Sequence, residues 1–314
     1  MFEQNIPLKQ ISHYKIGGQA RYFFEAKNLE DLSKAVEKAR ALNIPIVVIG
    51  GTTNVLFDDS GFEGLVIRPN FRLIESDGNS VRVGAGAPMS ELLNFVLDKK
   101  LSGLEWAAGI PGTLGGAVRG NAGAFGGEMK NVIESVVSLD ISQTNSKIIK
   151  RSGLESLFDY RSSIFKRTPG KEIIFEATLK LEKGNQNKIE EEMNKNINYR
   201  LVNHPLEYPS LGSTFKNVPR ESIKTNIENM PIKKDPFEVV PAAYFIAEAG
   251  LRGVSSGGAM ISPKHPNFIV NVLEATSEDV KNLIKLVKNE IKKKFGVELE
   301  EEIEYLKSYP QPRY

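Results

Sequence analysis

Residues 109–128 read Gly-Ile-Pro-Gly-Thr-Leu-Gly-Gly-Ala-Val-Arg-Gly-Asn-Ala-Gly-Ala-Phe-Gly-Gly-Glu, and eight of the twenty are glycine. Glycine at that density weakens any helix or strand built from it. What it permits is close backbone approach, and bare N–H groups in such a run form nests that hold a pyrophosphate. A second cluster, Gly50-Gly51-Thr52-Thr53-Asn54, directly follows the apolar run Ile46-Val47-Val48-Ile49. A glycine loop after a buried strand is a phosphate-binding place. Two tight turns at a domain junction are the plainer reading of one cluster. Two clusters together favour a large dinucleotide.

The rest of the chain supplies a scaffold of mixed type. Tyr22-Phe23-Phe24 predicts a strand, and Asn28 can cap a helix carrying Leu29, Leu32, Val36 and Ala39 at helical spacing. Pro45 bars its continuation, so Ile46–Ile49 reads as a strand parallel to the first. Arg82–Gly86 ends a strand, Leu92–Leu97 marks a helix, and Val132–Asp140 and Ile173–Leu181 alternate like half-exposed strands. After a polar connection at 183–188 comes a charged helix over roughly 188–200. Pro241 starts another helix and Gly250 ends it. Ser277 is expected to cap a last helix whose apolar face is Val280, Leu283, Ile284, Val287 and Ile291, with Gly296 as its stop.

Composition removes several functions. Net charge is +2, which gives no basic field for nucleic acid. There is no cysteine, so no disulfide, thiolate nucleophile or thiolate-held metal. His13, His204 and His265 lie too far apart in sequence for metal-ligand spacing, and no metal is expected. The acidic N-terminus lacks a basic leader, and no apolar run approaches the ~20 residues that cross a bilayer. A cytoplasmic protein without membrane or nucleic-acid partners is the expectation; the sequence leaves the oligomeric state open. Gly253-Val254-Ser255-Ser256-Gly257 fits a serine-hydrolase pattern, but a helix precedes it where a strand is needed, so a glycine turn is the better reading. Lys292-Lys293-Lys294 closes a helix that opens with Glu278 and Asp279, and so complements its dipole.

Gly109–Glu128 resembles the flavin-binding signature of the UDP-N-acetylenolpyruvoylglucosamine reductase family, and the likeness runs along nearly the whole chain. Gly17-Gly18-Gln19-Ala20 is similar to the family's opening, and Gly50–Leu56 to its pyrophosphate loop. Tyr160-Arg161-Ser162-Ser163, Gly212-Ser213-Thr214-Phe215-Lys216-Asn217, Ala249–Gly253, Lys264–Asn271 and Phe295–Ile303 follow in the family's order. Thr52-Thr53 departs from the family's usual Gly-Ser, and the short interval from Arg161 to Ser213 resembles the subclass without an inserted substrate-covering loop.

The resemblance implies an α+β fold: a two-subdomain FAD-binding unit of the vanillyl-alcohol-oxidase (PCMH) type, with a C-terminal α+β substrate domain. Subdomain 1 would be 1–68 with the tail 295–314, subdomain 2 would be 69–203, and the substrate domain 204–294. It implies non-covalent FAD, held by Gly50, Gly51, Thr52, Thr53, Asn54, Ile110, Pro111, Gly115, Gly116, Asn121, Gly123 and Ala124. NADPH is the implied co-substrate, and an enolpyruvyl ether of a UDP-sugar the implied substrate. Ser213 would protonate the substrate, Arg161 would meet its carboxylate, and Glu302 would supply a proton or hydrogen bond there. Tyr160 would shape the sugar site, and Lys216, Asn217, Arg252 and Asn267 would hold the UDP. Without the resemblance, Glu302 is one more acid in an acidic run. The alternatives that stay open are a related FAD oxidase and a nucleotide-binding module without catalysis.

Overall fold

A computed structural model describes residues 1–224, 230–234 and 237–306 of the chain. Residues 307–314, the end of the expected tail, lie outside the described residues.

Three sheets carry the fold. The first runs Glu3–Pro7, Gln19–Ala26, Phe62–Pro69, Ile46–Val48 across its width, and its last three strands are parallel. Its crossover is the helix Leu29–Ala41, which buries Leu32, Ala35, Val36 and Ala39 on one face. Asn28 starts that helix: its Oδ1 accepts from the Asp31 amide at 2.8 Å. Pro45 lies just before the strand Ile46–Val48, as the sequence predicts.

The second sheet is antiparallel throughout, in the order Lys147–Ser152, Ile133–Asp140, Glu172–Lys180, Ser80–Gly84, Ile74–Asp77. The short helix Leu114–Gly120 packs on it and carries the middle of the glycine-rich run. One hydrophobic cluster, from Phe2 to Met193, unites these two sheets. The third sheet, Ser210–Ser213, Phe268–Asn271, Ala259–Ile261 and Ser255–Ser256, is antiparallel and is covered by the helix Ser277–Phe295. The architecture is α+β.

Two details differ from the sequence expectations, and a third, the glycine turn, agrees with them. The cap of the last helix is Thr276, whose hydroxyl accepts from the Asp279 amide while the Asp279 carboxylate accepts from the Thr276 amide. Ser277 instead binds Asp59, to which its amide donates at 2.7 Å and its hydroxyl at 2.8 Å. The tail divides its packing: Val297, Leu299 and Ile303 join the third sheet's core, together with Tyr14, Ile16 and Leu56, and among its described residues only Leu306 packs with Leu8 and Phe57. The hydrolase-like pattern is a hairpin turn with Ser255 exposed, not a strand-to-helix elbow. No helix among the described residues is long and apolar enough to cross a membrane.

Candidate active site

The two glycine clusters meet backbone to backbone. A Cβ added at Gly51 would stand 2.6 Å from the Gly112 Cα, and one at Gly50 would stand 2.6 Å from the Thr113 Oγ1. No side chain larger than hydrogen fits there. Gly115 is equally tight against Ala85, at 2.9 Å, and Gly127 against the Trp106 ring. Gly116 is different: its added Cβ would meet only Thr113 Oγ1, at 3.7 Å. Space lies open above it, at the start of the helix Leu114–Gly120, whose Leu114 and Gly115 amides donate to the Ala87 and Ala85 carbonyls.

Beside this cradle is a cavity of about 270 Å³ walled by Gly50, Gly51, Gly86, Pro88, Thr113 and Arg68 among others. Two of its polar atoms, Thr113 Oγ1 and Arg68 Nε, are buried without a hydrogen-bond partner among the described residues. Such an atom costs about 1–3 kcal/mol unless something binds it. Bare amides, orphaned donors and a cation fit the diphosphate of a dinucleotide. Sequence reasoning missed Thr113 and Arg68. Thr113 was open to detection, because a threonine before a helix in a glycine run is a cap candidate.

Several residues assigned to the cofactor by resemblance also hold the cradle's shape. Thr52 sits at φ 57 and is buried; its Oγ1 accepts from the His13 amide at 2.9 Å. That contact fixes a β-branched residue in a region where glycine is easier. Asn121 ends the helix at φ 44, and its amide group binds Glu128 Oε2, the Asp159 carbonyl and the Lys130 amide. Asn54 Nδ2 donates to the Glu302 carbonyl at 3.0 Å. Thr53 lies over Pro111, its hydroxyl 3.5 Å from that carbonyl, and Ile110 packs on the core. Gly123 and Ala124 form a two-residue hairpin with Gly127 and Glu128.

The catalytic candidates come from three distant stretches. Arg161 lies in the turn Asp159–Ser162, closed by the Ser162 amide on the Asp159 carbonyl at 3.0 Å. Its φ is 53, a strained region that costs on the order of 1–3 kcal/mol and is seen where surroundings over-determine it. Those surroundings are Glu302, 2.6 Å from Arg161 Nε, and the Gly123 carbonyl, 2.8 Å from Nη2. Burial works against the Arg161 charge. The Glu302 carboxylate, helped by Tyr160 and Glu128, more than offsets that burial and holds the guanidinium above its ordinary value. Tyr160 stacks against this guanidinium, 5.2 Å from ring centroid to Cζ, and edge-on against Phe237.

Ser213 ends the strand Ser210–Ser213, after Gly212 at φ 75. Its neighbour Thr214 offers a carbonyl to the Glu302 amide at 2.8 Å, and Phe215 pairs with Glu301. The Glu302 loop therefore lies directly beside the Ser213 turn. Asn267 holds that turn: it accepts from the Phe215 amide at 3.0 Å and donates to the Phe215 carbonyl at 2.9 Å. Lys216 is ion-paired with Glu300, and Asn217 Oδ1 accepts from the Ala242 amide at the start of the helix Ala242–Glu248. Arg252 donates to the Pro263 carbonyl at 2.5 Å and is exposed. Thus the Ser213 turn, Arg161 and Glu302 come together, while Asn217 is half-buried against the start of the helix Ala242–Glu248 and Arg252 is exposed beside Pro263.

The chain is similar to known proteins along nearly its whole length. Residues 204–306 match the C-terminal domain of UDP-N-acetylenolpyruvoylglucosamine reductase, and residues 20–152 match an FAD binding domain. A reductase of that name from Caldanaerobacter subterraneus subsp. tengcongensis is 38% identical over 300 residues, covering 95% of this chain and 91% of the relative. One from Clostridium novyi is 36% identical over 302 residues, with 96% and 91% covered. The crystal structure of the enzyme from Thermus caldophilus superposes with a TM-score of 0.76 at 29% identity, covering 97% of this chain and 99% of that one.

Proposed function

Since the chain belongs to the UDP-N-acetylenolpyruvoylglucosamine reductase family, we propose that Arg161, Glu302 and Ser213 divide the work at its substrate. The protein reduces the enolpyruvyl ether of UDP-N-acetylglucosamine to UDP-N-acetylmuramate in peptidoglycan precursor synthesis, with NADPH as electron source and FAD as cofactor. When bound, FAD would supply the redox chemistry by carrying one hydride, the two electrons of the reduction, from NADPH to the enolpyruvyl group. The glycine cradle fits it: Gly50, Gly51, Gly116 and Thr113 offer backbone and hydroxyl donors for the diphosphate, and Arg68 offers charge. Without cysteine, the chain has no residue for a thioether link to it.

Hydride addition at C3 leaves negative charge on C2, delocalised onto the carboxylate. Fixed positive charge aimed at that carboxylate lowers the barrier, because it needs no reorganisation as charge grows. Arg161 provides it with a planar fork held by Glu302 and the Gly123 carbonyl. Glu302, held against Arg161, shares a proton or hydrogen bond with the second carboxylate oxygen in this reading. Ser213 gives its hydroxyl proton to C2, and the alkoxide regains a proton from solvent. Lys216, Asn217, Arg252 and Tyr160 bind the UDP-sugar, and Asn267 acts by holding the Ser213 turn. A nucleotide-linked substrate and a nucleotide reductant support a cytoplasmic reaction without membrane or nucleic-acid partners.

The observation that carries this reading is the 2.6 Å contact of Arg161 with Glu302, 141 residues apart, beside the Ser213 turn. Half-reactions under anaerobic stopped flow test it. Ser213→Ala should accept electrons from NADPH at near wild-type rate and lose ~10²–10⁴ in reoxidation by the enolpyruvyl substrate, the range for a positioned acid. In D₂O the wild type should place deuterium at C2 of the lactyl group. Wild-type turnover by Ser213→Ala would transfer the role to Glu302. Oxygen consumption in place of NADPH-driven turnover would point to an oxidase.

A further inference from the structure

The carboxylate two residues beyond Glu302 is also held by cations. Glu304 is ion-paired with Arg119 through Oε1, and Lys166 Nζ stands 3.5 Å from the same oxygen. All three side chains are largely buried, with 31%, 34% and 20% exposed for Glu304, Arg119 and Lys166. The cations are not placed at random. Lys166 sits on the short helix Ile164–Arg167 that follows the strained Arg161 turn. Arg119 lies in the last turn of the glycine-rich helix, and its carbonyl accepts from Ser163 Oγ at 2.6 Å. The Arg161 turn and the Glu302 loop are thus joined at two points, Arg161 to Glu302 and Lys166 with Arg119 to Glu304.

The backbone gives the second point its leverage. Glu302 itself lies outside regular structure; the three-residue strand Glu304–Leu306 begins after it and pairs with Val55–Phe57. Asn54 brackets the gap, donating from Nδ2 to the Glu302 carbonyl and accepting from the Glu304 amide at 2.9 Å. A single ion pair fixes a distance and lets the loop pivot; a second, two residues on, fixes its direction.

We propose that Glu304, clamped by Arg119 and Lys166, is a positioning residue that sets the carboxylate of Glu302 against Arg161. This rests on the roles given above to Arg161 and Glu302. It assigns Glu304, Arg119 and Lys166 no part in binding substrate or cofactor, and so it separates from those roles by experiment.

The test measures flavin content, thermal midpoint and both half-reactions for Glu304→Gln, Arg119→Met and Glu302→Gln. Glu304→Gln keeps the shape and removes the charge. It should retain full flavin and reduction by NADPH within about twofold. The rate of reoxidation by substrate should fall about 10-fold at saturation with little change in KM, less than the 10²-fold that a full 1 Å misplacement can cost. Arg119→Met should show the same pattern more weakly, because Lys166 remains. Loss of flavin, or equal slowing of both half-reactions, would make the cluster a folding contact and overturn the proposal, as would wild-type reoxidation by both variants. Should Glu302→Gln itself reoxidise at wild-type rate, the role of Glu302 falls; should Glu302→Gln be slow and Glu304→Gln normal, only the positioning role falls.

Discussion

The cofactor cradle and the catalytic cluster are built on opposite plans. The cradle is backbone: Gly50, Gly51, Gly112 and Gly116 contribute amides and the absence of side chains, and two short stretches of sequence contain nearly all of it. The catalytic cluster is side chain: Arg161, Ser213 and Glu302 come from a turn, a strand end and a loop, each from a different part of the chain. A backbone nest needs only local geometry, so it can be written in one run of residues. Charge placed against a growing carboxylate needs an angle and a distance that only tertiary packing sets. The first plan predicts all-or-none loss on substitution, and the second predicts loss confined to one half-reaction.

The largest effect expected is at Gly116. Its added Cβ meets nothing closer than 3.7 Å, so Gly116→Val should fold with a thermal midpoint near that of the flavin-free wild type. The valine would fill the space in front of the helix amides and hold a diphosphate away. The purified variant should be colourless, with FAD affinity down at least 100-fold by fluorescence titration. Gly51→Val sharpens the contrast: its Cβ would meet the Gly112 backbone at 2.6 Å, so it should damage the fold as well as the binding. A yellow Gly116→Val would move the diphosphate elsewhere along the cradle.

Arg161→Lys breaks the other plan. Lysine keeps one charge but loses the fork that joins Glu302 to the Gly123 carbonyl, and with it the strained turn's main restraint. Flavin content and reduction by NADPH should stay near wild type, and reoxidation by substrate should fall about 100-fold, or ~2.7 kcal/mol of barrier. Equal loss in both half-reactions would place Arg161 at the nicotinamide.

The same contrast explains what the sequence disclosed. Glycine density, the Asn28 cap, Pro45 and the Gly296 stop are local signals, and each is found where the residues predict it. Glu302 carries no local mark in its acidic run; its meaning comes from a partner 141 residues away, and only the ordered family motifs pointed to it. The shift of the last cap from Ser277 to Thr276 has a similar cause. Either hydroxyl could cap, and the choice is made by Asp59, 218 residues away, which engages Ser277. Asn121 and Asn267 stand out in the sequence only by motif position, and the side-chain bonds they make are within the protein, to Glu128 and to backbone groups.

The smallest effect expected lies on the seam between the two regions. The helix Gln186–Asn203 flanks the glycine run, with Arg200 Nε donating to the Ala108 carbonyl at 2.9 Å. The residue after it, His204, packs on His265 at 5.3 Å between ring centroids, and both rings pack on Phe268 of the third sheet. Burial holds both imidazoles down to about 4, with His265, Arg200 and Lys264 adding to the effect at His204, and Lys233 and Arg252 at His265. Each folded-state value lies below the unfolded value of ~6.5, so the unfolded chain binds more protons between these limits. The stabilisation is complete above pH ~6.5 and is lost as pH falls toward 4. The thermal midpoint should drop by about 5 °C over that window, a modest shift because both rings keep some contact with solvent. His204→Phe should flatten the slope while leaving the midpoint at pH 7.5 nearly unchanged, since a ring of similar size keeps the contact with Phe268. A slope unaltered by His204→Phe combined with His265→Phe would overturn this assignment; Asp58, which its link to Lys281 holds down to about 2, loses its contribution only below pH ~4 and so supplies no slope in this window.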